Sequence, residues 1–126
     1  MGYRSEVVLA ISKHLTPFLT LATSQNAEAQ ALVFKHADHF DRDYGGDKSW
    51  LIRWDHIKWY ESYDDIQTLE KFISEACSDE YEFEVDGKAQ SSCEHIKFVR
   101  VGEETGDIES MGDGFWDIYT NTSICY

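Results

Sequence analysis

The chain has 126 residues, 42% of them hydrophobic and 14% aromatic, which suits one packed domain over residues 1–126 and excludes an intrinsically disordered chain. No apolar run is long enough to cross a bilayer, and residues 7–11 are too few, and too close to Glu6, for a signal peptide; we expect a protein of the cytoplasm with no membrane partner. The net charge of −13 lies entirely in the second half, because residues 1–60 carry seven acids and seven bases whereas residues 61–126 carry seventeen acids against four bases. Such a field repels nucleic acid and suits a basic protein surface. It also keeps a small protein in solution.

Residues 5–12, Ser-Glu-Val-Val-Leu-Ala-Ile-Ser, are a short apolar run between polar residues and predict a buried strand. Thr16-Pro17 reads as a helix start, with Thr16 as the cap and Pro17 where a missing N–H costs nothing, leading a short helical piece over 18–22. Ser24 offers a second cap. From there Ala29, Leu32, Val33, His36 and Phe40 recur at helical spacing and predict a helix over about 25–40, ending near Asp41 before the turn residues Tyr44-Gly45-Gly46-Asp47.

Residues 50–60 hold three of the four tryptophans. β-branched and aromatic residues favour a pleated, half-buried surface, so this stretch is expected to be the central strand. One face would carry Trp50, Ile52, Trp54, His56, Lys58 and Tyr60, and the other Leu51, Arg53, Asp55, Ile57 and Trp59. A helix using Trp50, Trp54 and Ile57 is the alternative period. Ser62 then caps a helix with Asp64 and Asp65 at its positive end. Ile66, Leu69, Ile73, Ala76 and Cys77 form its apolar stripe, with Phe72 at the edge, and Ser78-Asp79 ends it.

Residues 81–85 alternate apolar with acidic, Asp86-Gly87 is a turn, and residues 95–101 form another strand. Residues 103–106 read as a hairpin turn with 107–111 returning, and Gly112-Asp113-Gly114 breaks the chain before a last strand over 115–119. The fold class is α+β: a mainly antiparallel sheet with two main helices packed on one face, a ferredoxin-like variant.

Chemistry-bearing residues are sparse. Cys77, Cys93 and Cys125 are odd in number and lack C-x-x-C spacing, so they read as reduced structural thiols. In a strand, Cys93 and His95 would share a face. His36 and His39 stand one helical turn apart, but spacing places no third ligand, and a packed histidine beside a surface one is the better reading. Glu103, Glu104, Asp107 and Glu109 cluster at the hairpin. Paired carboxylates can bind a divalent cation or act as acid and base, but these do not follow the calcium-loop pattern, and a solvated acidic turn tolerant of charge reversal is expected. The glycines form no phosphate loop and no nucleophile turn is present. The aromatic face of Trp54, Trp59 and Tyr60, with Arg53 and Lys58 nearby, is a second candidate surface, although the acidity opposes nucleic acid there.

Three marks stand in order along the chain: Met1-Gly2-Tyr3-Arg4-Ser5; Ile57-Lys58-Trp59-Tyr60 with Tyr63-Asp64-Asp65-Ile66; and Phe98-Val99-Arg100-Val101-Gly102-Glu103-Glu104 with Asp107-Ile108-Glu109. Together they resemble a set of short uncharacterised proteins of tailed-bacteriophage genomes, which open with Gly-Tyr-Arg-Ser and close with a Val-Arg-Ile-Gly-Glu strand followed by Asp-Ile-Glu. The chain departs from that pattern in residues 79–93, which form an extra acidic strand and loop, and in its ending Ser123-Ile124-Cys125-Tyr126. The resemblance implies a phage-derived accessory protein acting in the cytoplasm of a bacterial host, and it carries over no activity, cofactor or site residue.

The expected function is therefore a non-enzymatic one: binding a host protein with a basic surface, as an anti-defence inhibitor or nucleic-acid mimic, through Glu103, Glu104, Asp107 and Glu109 in the acidic half. No cofactor, metal or direct nucleic-acid contact is expected. A small enzyme or ligand binder using the acidic hairpin is one alternative. An oligomer-forming protein using Trp54, Trp59 and Tyr60 is the other.

Overall fold

Strand β1 (Ser5–Ile11) lies at the middle of the sheet, and its residues Val7, Val8, Leu9, Ala10 and Ile11 have no exposed surface at all. Five apolar side chains in a row point alternately to both faces, so such a strand is stable only when it is paired on both edges and covered on both sides. The computed structural model, which describes residues 2–104, 106–114, 118–120 and 124–125, supplies all four covers. The sheet has five strands, all antiparallel to their neighbours, in the order β2-β3-β1-β6-β7. Here β2 is His39–Tyr44, β3 is Ser49–Ile57, β6 is Ile96–Gly102 and β7 is Ile108–Met111. The stretch around the tryptophans, expected at the centre, is the neighbour of the central strand.

Helices α1 (Thr16–Ser24), α2 (Ala27–Phe34) and α3 (Asp64–Cys77) cover one face. Val7, Leu9, Ile11, Ile52, Trp54, Ile96 and Phe98 from the strands share a single core with Leu19, Leu32, Val33, Ile66, Leu69 and Ile73 from the helices. On the opposite face Val8, Ala10, Leu51 and Val99 pack with Ile118. The chain after Gly114 thus contributes to the second face, and β8 (Tyr119–Thr120) pairs there with β9 (Ile124–Cys125). Of the last strand expected over 115–119, residues 115–117 lie outside the described residues.

Both main indoles bind helices. Trp54 Nε1 donates to the Leu32 carbonyl at 3.0 Å, fixing the end of α2, and Trp59 Nε1 donates to Glu70 Oε1 at 2.8 Å, fixing α3. Trp59 reaches that face because β3 carries an extra residue. Ser5 pairs with Ile57 and Val7 with Trp54, so two steps on β1 face three on β3. This bulge at Asp55-His56 reverses the alternation beyond it. Ile57 and Trp59 therefore join Trp50, Ile52 and Trp54 in or against the helix-side core, where the simple two-residue period put them on the other face.

The helix expected over 25–40 is shorter, and a strand follows it. Asn26, not Ser24, caps α2, accepting the Ala29 N–H at 3.0 Å and donating to Thr68 Oγ1 at 3.2 Å. The helix stops at Phe34, leaving His36 and His39 exposed, so neither is the packed histidine expected. Phe40 kept the helical spacing by coincidence; it packs from β2. Leu15 and Tyr63, not Thr16 and Ser62, occupy the cap positions of α1 and α3, without side-chain bonds. Thr16 instead donates its hydroxyl to the Lys13 carbonyl at 3.0 Å. Residues 81–90 form a separate hairpin of β4 (Phe83–Val85) and β5 (Lys88–Gln90), turning at Asp86 (φ 54°) and Gly87 (φ 78°). Cys93 and His95 fall on a 3₁₀ turn, Ser92–His95, and not on one strand face.

Leu69 lies at the middle of α3 with no exposed surface, in contact with the sheet core. Leu69→Ala should lower unfolding free energy by about 2–5 kcal/mol, measured by denaturant titration, with an unchanged denaturant slope.

Candidate interaction site

The helix-side core ends where α3 stops covering β6. Two residues beyond Phe98 on the same face, Arg100 is only 9% exposed, and a guanidinium there needs partners for its donors. It finds Asp107 (Nη2–Oδ1 2.7 Å, Nη1–Oδ2 3.2 Å), Glu109 (Nη2–Oε1 2.8 Å, Nε–Oε1 3.1 Å) and the buried Ser5 hydroxyl (Nη1–Oγ 3.0 Å). Asp107 also accepts the Tyr3 hydroxyl proton, and Tyr3 Oη accepts the Glu104 N–H at 2.9 Å. The Arg100 guanidinium, and after it the Tyr3 hydroxyl, hold the Asp107 carboxyl below the usual carboxylate range. The same Asp107 bond holds the Tyr3 phenol above its ordinary value. A Cβ at Gly102 would collide with both the Asp107 carboxylate and the Tyr3 hydroxyl, so a larger residue there would have to displace these side chains.

The four acids expected as one exposed turn therefore divide. Glu103 and Glu104 are exposed, Glu103 accepting the Arg4 N–H at 3.1 Å. Asp107 and Glu109 neutralise Arg100 and are part of the fold, so tolerance of reversal does not extend to them. An arginine flanked by Phe98, Val99 and Val101 in a strand was the available signal, since such a position is deeply placed and demands carboxylate partners. The three marks of the resemblance also meet at this end of the sheet: Tyr3 and Ser5 contact the Arg100–Asp107 hairpin, and Gly2 lies against Lys58 and Tyr60.

Glu109 also borders a cleft of about 220 Å³ with Glu61, Glu70, Ile73, Ser74, Phe98 and Met111. Burial pushes the Glu70 carboxyl above its ordinary value, against the Trp59 N–H that it accepts. Two carboxyls bordering one cleft, with Glu70 held up by burial, are the residue types of a general acid–base pair. Here both carboxylates already hold protein partners, and the space is below the roughly 300 Å³ at which ligand pockets begin. Glu70 sits beside the apolar stripe of α3, and no spacing separates it from the other acids of that helix.

The larger concentration of acid stands at the other end of β6. Residues 79–94 hold six acids and one base, Lys88. Asp79 is held in place, accepting the Ser91 hydroxyl and the Cys93 N–H (2.9 Å), and those two bonds keep its carboxyl low. Glu80, Glu82, Glu84 and Asp86 are exposed and take part in no ion pair among the described residues. The arm is anchored at its base: Phe83 stacks on His14 (5.5 Å between ring centres) and meets His95 edge-on (4.9 Å), and Tyr81 donates to Glu75 Oε2 at 3.1 Å.

Of the aromatic candidates, both tryptophans lie in the core. Trp54 is 1% and Trp59 7% exposed, with both indole N–H groups bonded inside the protein. Tyr60 is half-buried beside Tyr63 (5.2 Å). The two described thiols, Cys77 and Cys93, are not poised as nucleophiles. Burial pushes Cys77 up to about 11, and burial, together with the bond from Cys93 Sγ to Asp113 Oδ2 (3.4 Å), raises Cys93 as well. Compared with family models, curated proteins and solved structures, the chain has no significant match.

Asp107 and Glu70 should give opposite acid–base signatures. A carboxyl held low in the folded state adds stability that is present above its unfolded value and lost as pH falls through the folded one; a raised carboxyl adds stability that is lost as pH rises through its folded value. In denaturant titrations across acidic pH, the advantage of wild type over Asp107→Asn should shrink toward low pH. Wild type should lose ground to Glu70→Gln as pH rises toward neutrality. Parallel profiles for wild type and both variants would show that neither carboxyl is shifted by the fold.

Proposed function

We propose that this chain is a phage-derived, non-enzymatic accessory protein that binds a basic surface of a host protein in the bacterial cytoplasm, in competition with nucleic acid. The observation that carries the reading is the division of the carboxylates. Glu6, Asp55, Asp107 and Glu109 are paired with Arg53 and Arg100, whereas Glu80, Glu82, Glu84 and Asp86, on and just before the anchored hairpin, are exposed and form no ion pair among the described residues. Unneutralised charge attracts a basic surface at long range, and anchoring the base of the hairpin through Phe83 and Tyr81 lowers the ordering cost of meeting it. Glu103 and Glu104 form a second, smaller acidic point. The phage origin in this reading comes from the resemblance of the three sequence marks alone.

We read the architecture as a ferredoxin-like variant. Support comes from the order β2-β3-β1-β6, in which α1 and α2 link β1 to β2 around β3, and α3 leads from β3 to β6 around β1. Strand β7 and the β4–β5 arm are additions to that plan. A second reading, a small enzyme, is favoured by Glu70 beside Glu109 in the cleft, and it requires Glu70→Gln to abolish an activity while leaving partner binding intact.

The test starts by capturing the partner from bacterial lysate at low salt and purifying it. Association with wild type should then slow between about 0.1 and 1 M salt, over which the screening length falls from about 10 to about 3 Å. The triple reversal Glu80→Lys, Glu82→Lys and Glu84→Lys should cut the association rate about tenfold or more while leaving the melting temperature unchanged. An affinity indifferent to both salt and the triple reversal would overturn the proposal.

A further inference from the structure

Phe34 at the end of α2, Phe40 on β2 and Trp50 on β3 make a three-ring corner at one edge of the sheet. Phe34 and Phe40 are stacked (5.8 Å, 24°), and Trp50 stands across both (5.9 Å and 89° to Phe34, 5.2 Å and 67° to Phe40). All three rings are half-buried. Over their junction lies the Arg42 guanidinium, with Cζ 4.2 Å from the Phe40 centre, 5.2 Å from Trp50 and 5.9 Å from Phe34. Arg42 is exposed and forms no ion pair among the described residues, although aspartates surround it in sequence. The ring faces hold it.

The neighbouring aspartates spend hydrogen bonds on backbone: Asp38 on the Asp55 N–H (2.7 Å), Asp41 on Asp43 (2.9 Å), Asp43 on Lys48 (2.9 Å) and Asp47 on Ser49 (3.2 Å). These bonds fix the carboxylates without cancelling their charge. Strand β2 also ends the sheet, and among the described residues no strand is paired to its outer edge. A terminal strand, an aromatic corner already seating a guanidinium and a fringe of carboxylates fit an extended basic peptide segment. We propose that the corner docks an arginine side chain from such a segment of the protein partner, and that Arg42 is an internal occupant which the incoming arginine displaces. Arginine fits better than lysine because its planar, weakly hydrated guanidinium stacks on ring faces. This inference rests on the reading of the partner as basic.

The probe is a Gly/Ser peptide with one central arginine, followed by NMR of the Phe34, Phe40 and Trp50 ring signals. Arg42→Ala, at an exposed position, should raise affinity for the probe about threefold or more, with shifts confined to the three rings. Lys48→Ala removes the same charge nearby without opening the corner and should raise it less. Adding Phe40→Leu to Arg42→Ala should remove the gain; a melting curve matching Arg42→Ala shows that this is not unfolding, and Trp50→Phe serves in its place if that variant does not fold. Equal gains from Arg42→Ala and Lys48→Ala, no gain at all, or shifts elsewhere would overturn the proposal. The Glu80/Glu82/Glu84 reversal should leave probe affinity unchanged while it slows association of the whole partner. Failure of the corner and failure of the acidic arm are thereby read separately.

Discussion

Strand β1 is the constraint on which the rest depends. With Val7 to Ile11 wholly buried, it requires β3 and β6 as partners, the three helices over one face and the Ile118 segment over the other. Each of its neighbours is then itself half-covered and half-paired, which leaves β2 and β7 as edges. The register follows from side-chain alternation, since slipping β1 by one residue would exchange Val7, Leu9 and Ile11 with Val8 and Ala10 and mismatch both cores at once.

The same alternation brings a problem at the strand end. Ser5 is the next residue of β1 on the helix side, and beyond it the helices no longer reach. Arg100 fills that gap with an apolar stem and a charged head, closed off by Asp107, Glu109, Ser5 and Tyr3. The sheet thus ends in an ion-paired plug instead of an exposed apolar rim, and the hairpin from β6 to β7 is held by side chains as much as by its backbone ladder. The plug also explains the close backbone at Gly102, where the Asp107 and Tyr3 side chains cross the strand.

Elements whose pattern is set by their own residues were legible in the sequence: β1 from its apolar run, α3 from its stripe, the β4–β5 turn from Asp86-Gly87, and the α+β class with helices on one face. What escaped depended on neighbours. β2 reads His-Phe-Asp-Arg-Asp-Tyr, with little strand preference, and it forms because β3 offers an open edge. The bulge at Asp55-His56 has no local mark, and it alone moved Trp59 from a candidate surface into the core. Glu103, Glu104, Asp107 and Glu109 were found as a cluster, but their division into paired and free acids needed Arg100 in three dimensions.

That division bears on how an acidic surface of this kind can work. Two groups of acids without ion pairs among the described residues lie at the two ends of β6, a strand of seven residues that spans roughly 20 Å. The screening length near physiological salt is about 8 Å. The arm carrying Glu80, Glu82, Glu84 and Asp86 and the turn carrying Glu103 and Glu104 therefore do not sum into one field; each acts on what lies directly before it. A partner that reads net charge alone would gain little from −13 spread in this way. A partner with its own basic groups placed to match one pole gains much more, and the arm, with more free carboxylates and an aromatic anchor on Phe83 and His14, is the stronger pole. The carboxylates of the Arg100 plug, bonded to the guanidinium at 2.7 and 2.8 Å, are spent on the fold and add little to either pole.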